Sequence, residues 1–178
     1  MKLPAPPETL RIARALTALS QREVADLSGI TRRYISNAET SESLFELNLK
    51  LVEFYVSRGI EFLGQASIGE EVERPGARWI APRSPTDLSE SARPFHTEKL
   101  GIAFRAARAL LNKSRSELAA DAGVSAAVVK DLETGRHWTQ ASSEMQDYYE
   151  RQEVEFLGWS DARTKLFYGV GVQVRRTR

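Results

Sequence analysis

Apolar side chains recur at near-helical spacing through Leu10, Ala13, Leu16 and Leu19, predicting a helix opened by Pro7 or a neighbour. Ser20-Gln21-Arg22-Glu23 has the composition of a capping box, and the short helix it starts is expected to bury Val24, Ala25 and Leu27. Gly29 falls where a tight turn requires positive φ. Thr31 then caps a third helix over 32–39, with Ile35 pointing inward. Leu44, Leu47, Leu51, Phe54 and Tyr55 mark a fourth helical stretch that Gly59 can stop, and Ile60-Glu61-Phe62-Leu63 reads as a short strand.

The same grammar returns 94 residues later: residues 10–64 align without a gap onto 104–158, and 16 of the 55 pairs are identical. A fixed period with dispersed identities means duplication. In copy two, Thr97 is expected to cap the first helix and Ser114-Arg115-Ser116-Glu117 to form the second capping box. Gly123 makes the turn, Ser125 caps the third helix, and Met145, Tyr148 and Tyr149 carry the fourth. Glu153 stands where copy one has Gly59, so this helix end lacks a glycine stop. The strand-like segments 60–63 and 154–157, with 77–80 and 171–174 at the same offset, predict a hairpin closing each copy. Residues 82–96 are Pro/Ser-rich and aperiodic, as a semi-rigid linker is. The expected chain is mainly α: domain 1 with its hairpin over 1–81, the linker, then domain 2 with its hairpin and a basic tail over 97–178.

With LSQREVADLSGITRRYISNAE and KSRSELAADAGVSAAVVKDLE as its core, each copy resembles the Xre or lambda-repressor-like helix-turn-helix family, most strongly over 11–40 and 105–135. The resemblance implies framework ion pairs, Arg14 with Glu39 and Arg108 with Glu133. It also implies that the third helix enters a major groove and that the first residue of the second helix touches a phosphate. In copy one these positions hold Gln21 at the phosphate and Thr31, Arg32, Arg33, Tyr34, Ser36 and Asn37 along the reading helix. Arginine can bond guanine bidentately and asparagine can do so with adenine. In copy two they hold Arg115 at the phosphate and Ser125, Ala126, Ala127, Val128 and Lys130 along the helix, with Asp131 set to repel phosphate. That face lacks bidentate donors. With Val128 turned outward it suits protein docking as well as backbone contact with DNA, and both stay open. The ending VEF…GVGV followed by basic residues resembles small regulators of bacterial mobile elements and phage-like gene clusters.

Charge tempers the picture. The net charge is +1, with 10 Lys/Arg against 11 Asp/Glu up to Ala81 and 15 against 13 beyond it, so DNA binding would rest on a local basic face. The chain has no cysteine, which excludes disulfides and zinc–thiolate sites. His96 and His137 stand alone, and no metal or cofactor is expected. The segment Gly169-Val170-Gly171 lacks the third glycine of a dinucleotide loop. No nucleophile–base pair or segregated pair of acids stands out, so catalysis is not expected. Trp79 and Trp159 read as packing residues, and the tail Arg175-Arg176-Thr177-Arg178 as a solvated or phosphate-grasping run. No leader or membrane span is evident, and the expected location is the bacterial cytoplasm. The expected activity is that of a sequence-specific transcription regulator, activator or repressor. Its partners would be double-stranded DNA, a protein of the transcription machinery and a second copy of the chain, unless the duplication replaces that dimer. The competing reading is an anti-activator or adaptor using the same scaffold to bind protein.

Overall fold

The computed structural model describes residues 4–41, 44–65, 72–83, 95–136 and 139–175. Most of the linker, the tail beyond Arg175, and His137 lie outside them. Copy one contributes α1 (Pro7–Leu16), α2 (Gln21–Ser28), α3 (Arg32–Ala38), α4 (Phe45–Val56), β1 (Ile60–Gln65) and β2 (Glu73–Trp79). Copy two contributes α5 (Phe104–Leu110), α6 (Arg115–Ala122), α7 (Ala126–Glu133), α8 (Thr139–Arg151), β3 (Val154–Ser160) and β4 (Phe167–Val174). Among the described residues the architecture is therefore mixed α/β, not mainly α. Two helical halves are each followed by a hairpin, and the hairpins join in one antiparallel sheet of order β1-β2-β4-β3.

Local chemistry sets the helix ends. Pro7 occupies the first turn of α1, where a missing N–H costs nothing. Both capping boxes form: the Ser20 hydroxyl accepts from the Glu23 amide while Glu23 accepts from Ser20 N–H, and Ser114 and Glu117 do the same. Copy two departs at its first helix. Thr97 does not cap it; α5 begins at Phe104 after Ala103, which provides no side-chain cap. The backbone of Glu98 instead exchanges two 2.9 Å hydrogen bonds with Phe167, so this segment is held extended beside β4 before the helix can start. At the end of α8, Glu153 adopts φ 59°, in the left-handed region where copy one has Gly59 at 87°.

Alternation along the strands gives the sheet two unlike faces. Ile60, Ala77, Trp79, Val154, Val170 and Val172 are buried under the helices. On the outer face Arg78 pairs with Glu61 at 2.7 Å, Gln173 donates to Glu155 at 2.7 Å, and Arg74 of copy one reaches Glu155 of copy two at 2.5 Å. Both hairpins shift register around Gly64 and Gly158, each at positive φ. A β-carbon at Gly64 would lie 2.5 Å from Val72 Cγ1, which accounts for the repeated Glu-Phe-Leu-Gly ending in a bulge.

The strand register corrects the expected 94-residue correspondence in the last strand. Phe62 faces Ala77 and Phe156 faces Val172, so β4 matches β2 at an offset one residue longer. Ala77 and Val172, partners across the junction of the copies, are therefore equivalent residues. A local two-fold axis passes through that pair. Beside it α1 packs on α5. Arg11 crosses the seam, donating from Nε to the Ala109 carbonyl at 2.9 Å and from Nη2 to Leu110 at 3.4 Å. Ile12, Ala13, Ala77, Ala107 and Val172 lie within one hydrophobic core that runs through both copies.

Candidate nucleic-acid interface

Three local devices set the α3 face. Gly29 turns the chain after α2 at φ 72°, the Thr31 hydroxyl accepts from the Tyr34 amide, and Ile35 is buried to anchor the helix. Arg32, Arg33 and Asn37 are exposed, and no group among the described residues bonds their side chains. Arg33 and Asn37 are four residues apart, on one stripe, with Arg32 on the neighbouring one. Thr31, spent as the cap, stays at the exposed edge. Tyr34 and Ser36 are half-buried; the Tyr34 hydroxyl donates to the Leu44 carbonyl at 2.9 Å, tying α3 to the start of α4. The open part of the face is thus two guanidiniums and one carboxamide, donors able to meet base edges and phosphates.

Behind this face sits a buried carboxylate. Arg14 grips Glu39 with two parallel bonds, Nε to Oε1 at 2.5 Å and Nη2 to Oε2 at 2.8 Å. Glu39 is 3% exposed, and the pair pins α1 to the end of α3. Burial lowers the affinity of Arg14 for its proton, but the bonded Glu39 charge outweighs it and the pKa is raised above its usual value. Gln21 also donates to Glu39, at 2.9 Å. The side chain that the resemblance sets against a phosphate thus also braces the buried carboxylate.

Copy two rebuilds the framework and not the face. Arg108 bonds Glu133 at 2.5 Å, and Arg115 takes the place of Gln21, bonding the same carboxylate at 2.7 Å. Ser125 caps α7 through the Val128 amide, as Thr31 caps α3. Ala126, Ala127 and Lys130 are exposed. Val128 does not point outward: it is half-buried and packs on the core, as its counterpart Tyr34 does, because this position faces the hydrophobic interior. The small apolar face shrinks to two alanines. Asp131 is half-buried and lies 3.5 Å from Arg136.

Sequence reasoning passed over three cations. Arg11, Arg105 and Lys113 line a cleft between the copies; the identity of Arg11 and Arg105 in the repeat was the one available signal. Hydrogen bonds to Asp121 at 2.5 Å and to Tyr148 at 3.0 Å push the Lys113 pKa up to about 12. His96 is not isolated. It bonds Glu98 at 2.8 Å and stacks on Trp79 with ring centroids 3.6 Å apart. Trp159 stacks on Tyr168. No group of acids and histidines among the described residues could hold a metal ion, and no helix there is long and apolar enough to cross a membrane. Comparison with known protein families, with curated proteins and with solved structures finds no match.

Proposed function

We propose that the chain is a sequence-specific DNA-binding transcription regulator in which α3 of copy one reads a major groove. One observation carries this reading: Arg32, Arg33 and Asn37 are exposed, and unpaired among the described residues, on a helix whose cap, turn and buried ion pair fix its orientation. Long polar side chains left without internal partners, on a rigid element of that length, suit base-edge contact. The lambda-repressor-like resemblance of both copies supports the same use of the helix. Copy two offers no comparable donors on α7 and adds contacts to the DNA backbone.

A second reading, protein docking by an adaptor, draws on Leu27, Leu44 and Phe45, all more than half exposed on copy one. Salt separates the two, because only phosphate neutralisation releases counterions.

The test is selection of bound duplexes from a random pool with the wild type and with Arg32→Ala/Arg33→Ala. A motif that vanishes in the folded double variant, with one chain per bound duplex by sedimentation, is the expected result. Failure of folded wild type to enrich any sequence would end this reading.

A further inference from the structure

A strongly cationic concavity lies on the local two-fold axis. It is a cleft of about 710 Å³ whose walls include Arg11, Arg14 and Ser20 from copy one and Arg105, Lys113 and Arg115 from copy two. Most of its lining comes in equivalent pairs, but the walls differ in charge. Leu19 of copy one is answered by Lys113, and Gln21 by Arg115. On copy one's side the cations are consumed: Arg11 donates to three backbone carbonyls and Arg14 is locked on Glu39. On copy two's side Arg108 is likewise locked on Glu133, but three other cations keep donors to spare. Arg105 has no bonding partner among the described residues. Arg115 uses Nε on Glu133 and is 38% exposed, with no bond from its other two nitrogens among the described residues. Lys113 bonds Asp121 and Tyr148, keeps a third N–H and is 27% exposed. Six cationic side chains line the cleft against the carboxylate of Glu23, which is held by Ser20 N–H.

The cleft is also continuous with the candidate reading elements. Its rims are the first turns of α2 and α6, and the hydrogen bonds Gln21–Glu39 and Arg115–Glu133 join those turns to the ends of α3 and α7.

We propose that this cleft is a phosphate-binding site whose working wall is Arg105, Lys113 and Arg115 of copy two. In the DNA-bound chain it holds phosphodiester backbone beside the sequence read by α3. The second half thus contributes through the seam between the copies and not through the alanine face of α7. The assignment of the ligand to duplex DNA rests on the function proposed above; the assignment of a phosphate site does not.

The chain supplies its own benign substitutions. Lys113→Leu and Arg115→Gln place at copy two the residues that copy one carries at the equivalent positions, where glutamine makes the same bond to the buried glutamate. Binding of the selected duplex is measured over a salt series for wild type, for this double variant and for Arg151→Gln, which removes an exposed charge on α8 away from the cleft. In parallel, inorganic tripolyphosphate is titrated against thermal melting of the same proteins. We expect the double variant to keep the sequence motif while the slope of log affinity against log salt falls by about 2, roughly one per lost phosphate contact. Arg151→Gln leaves the slope unchanged. An unchanged slope in the double variant, with tripolyphosphate stabilising wild type and not the variant, supports the site with a free polyphosphate as its ligand. An unchanged slope with no tripolyphosphate effect overturns the proposal while leaving α3 as the reader. If wild type selects no duplex, the proposed function fails, and the tripolyphosphate arm alone decides the cleft.

Discussion

Replacing Glu133 by glutamine removes one charge that holds two cations. The carboxylate is fully buried and accepts Arg108 Nε at 2.5 Å, Arg108 Nη2 at 3.3 Å and Arg115 Nε at 2.7 Å. Glutamine keeps one acceptor oxygen, turns an amide towards the remaining donors and leaves both guanidiniums without a counter-charge. Stranding one member of a buried pair costs about 3–5 kcal/mol. Arg108 is 20% exposed and feels most of that loss. Arg115 is 38% exposed, so water screens its share, and repulsion between the two cations adds only about 1 kcal/mol. The expected total is about 4 kcal/mol. Glu39→Gln strands chiefly Arg14, because its other side-chain donor, Gln21, is neutral and Arg11 bonds only the Glu39 backbone carbonyl. That loss should be about 3 kcal/mol.

The assay is urea unfolding followed by circular dichroism. With a slope of about 2 kcal/mol per molar, the midpoint falls by about 2 M for Glu133→Gln and about 1.5 M for Glu39→Gln. Both variants shift one shared transition, because the core is continuous through the seam. Adding Arg115→Gln to Glu133→Gln removes the second stranded cation and should recover about 1 kcal/mol. Losses below about 1 kcal/mol for both single variants would show that the pairs do not behave as buried ones, and the reasoning would fall. No recovery on removing Arg115 would refute the repulsion.

Gly171→Val places a β-carbon 2.3 Å from the Ala77 carbonyl oxygen and 2.4 Å from Arg78 Cα, in the β2–β4 junction; a drop in stability of about 3 kcal/mol in thermal melting is expected, and an unchanged melting temperature would contradict that strand pairing. Glu153→Gly relieves a left-handed residue at φ 59° and Ala18→Gly one at 56°; each should gain about 1 kcal/mol in urea unfolding, and a loss would show that the side chain contributes more than the strain costs. The Glu23 and Glu117 carboxylates lie below their usual pKa of 4.5 because they accept hydrogen bonds from Ser20 and Ser114. Depressed in the folded state, they contribute stability above pH 4.5 that is lost as pH falls through the lowered values. Carboxyl-carbon NMR titration should show the two returning towards 4.5 in Ser20→Ala and Ser114→Ala, respectively.

Features encoded within a few residues were legible in the sequence. Ser20 with Glu23, Gly29, Thr31 and their counterparts in copy two each act on backbone groups no more than four residues away, so composition and spacing suffice to place them. The hairpins were legible for the same reason: Ile60-Glu61-Phe62-Leu63 and Val154-Glu155-Phe156-Leu157 read as short strands, while the bulges at Gly64 and Gly158 appear only in the register. Exposure was harder. Tyr34 and Val128 lie on the same turn as reading positions but are drawn into the core, and Gln21 and Arg115 are drawn to a buried glutamate. These contacts depend on packing between helices, which a single helical period does not contain. The joining of the two hairpins left little mark in the sequence, because nothing in the period of β2 or β4 says which strand covers its outer edge. Gly76 and Gly171 were the trace of it, since a β-carbon at either would strike the opposing strand.

That junction explains why the copies differ where they do. A single copy ending in β2 would leave that strand's edge unpaired, inviting another chain to complete the sheet. In this chain β4 supplies the partner, and equivalent residues Ala77 and Val172 meet as they would across a symmetric dimer. A dimer of separate chains, however, must carry identical halves, so any change to its reading helix appears twice. Fusion removes that constraint. The residues that hold each half together, Arg14 with Glu39 and Arg108 with Glu133, persist in both copies. Those facing outward have diverged: Arg32, Arg33 and Asn37 stand opposite Ala126, Ala127 and Asp131, while Leu19 and Gln21 stand opposite Lys113 and Arg115. Exposed donors are concentrated on α3 in one half and at the central cleft in the other. On the proposed reading, a two-fold scaffold with an asymmetric surface would suit a duplex whose two half-sites are unequal, one defined by its bases and the other by its backbone.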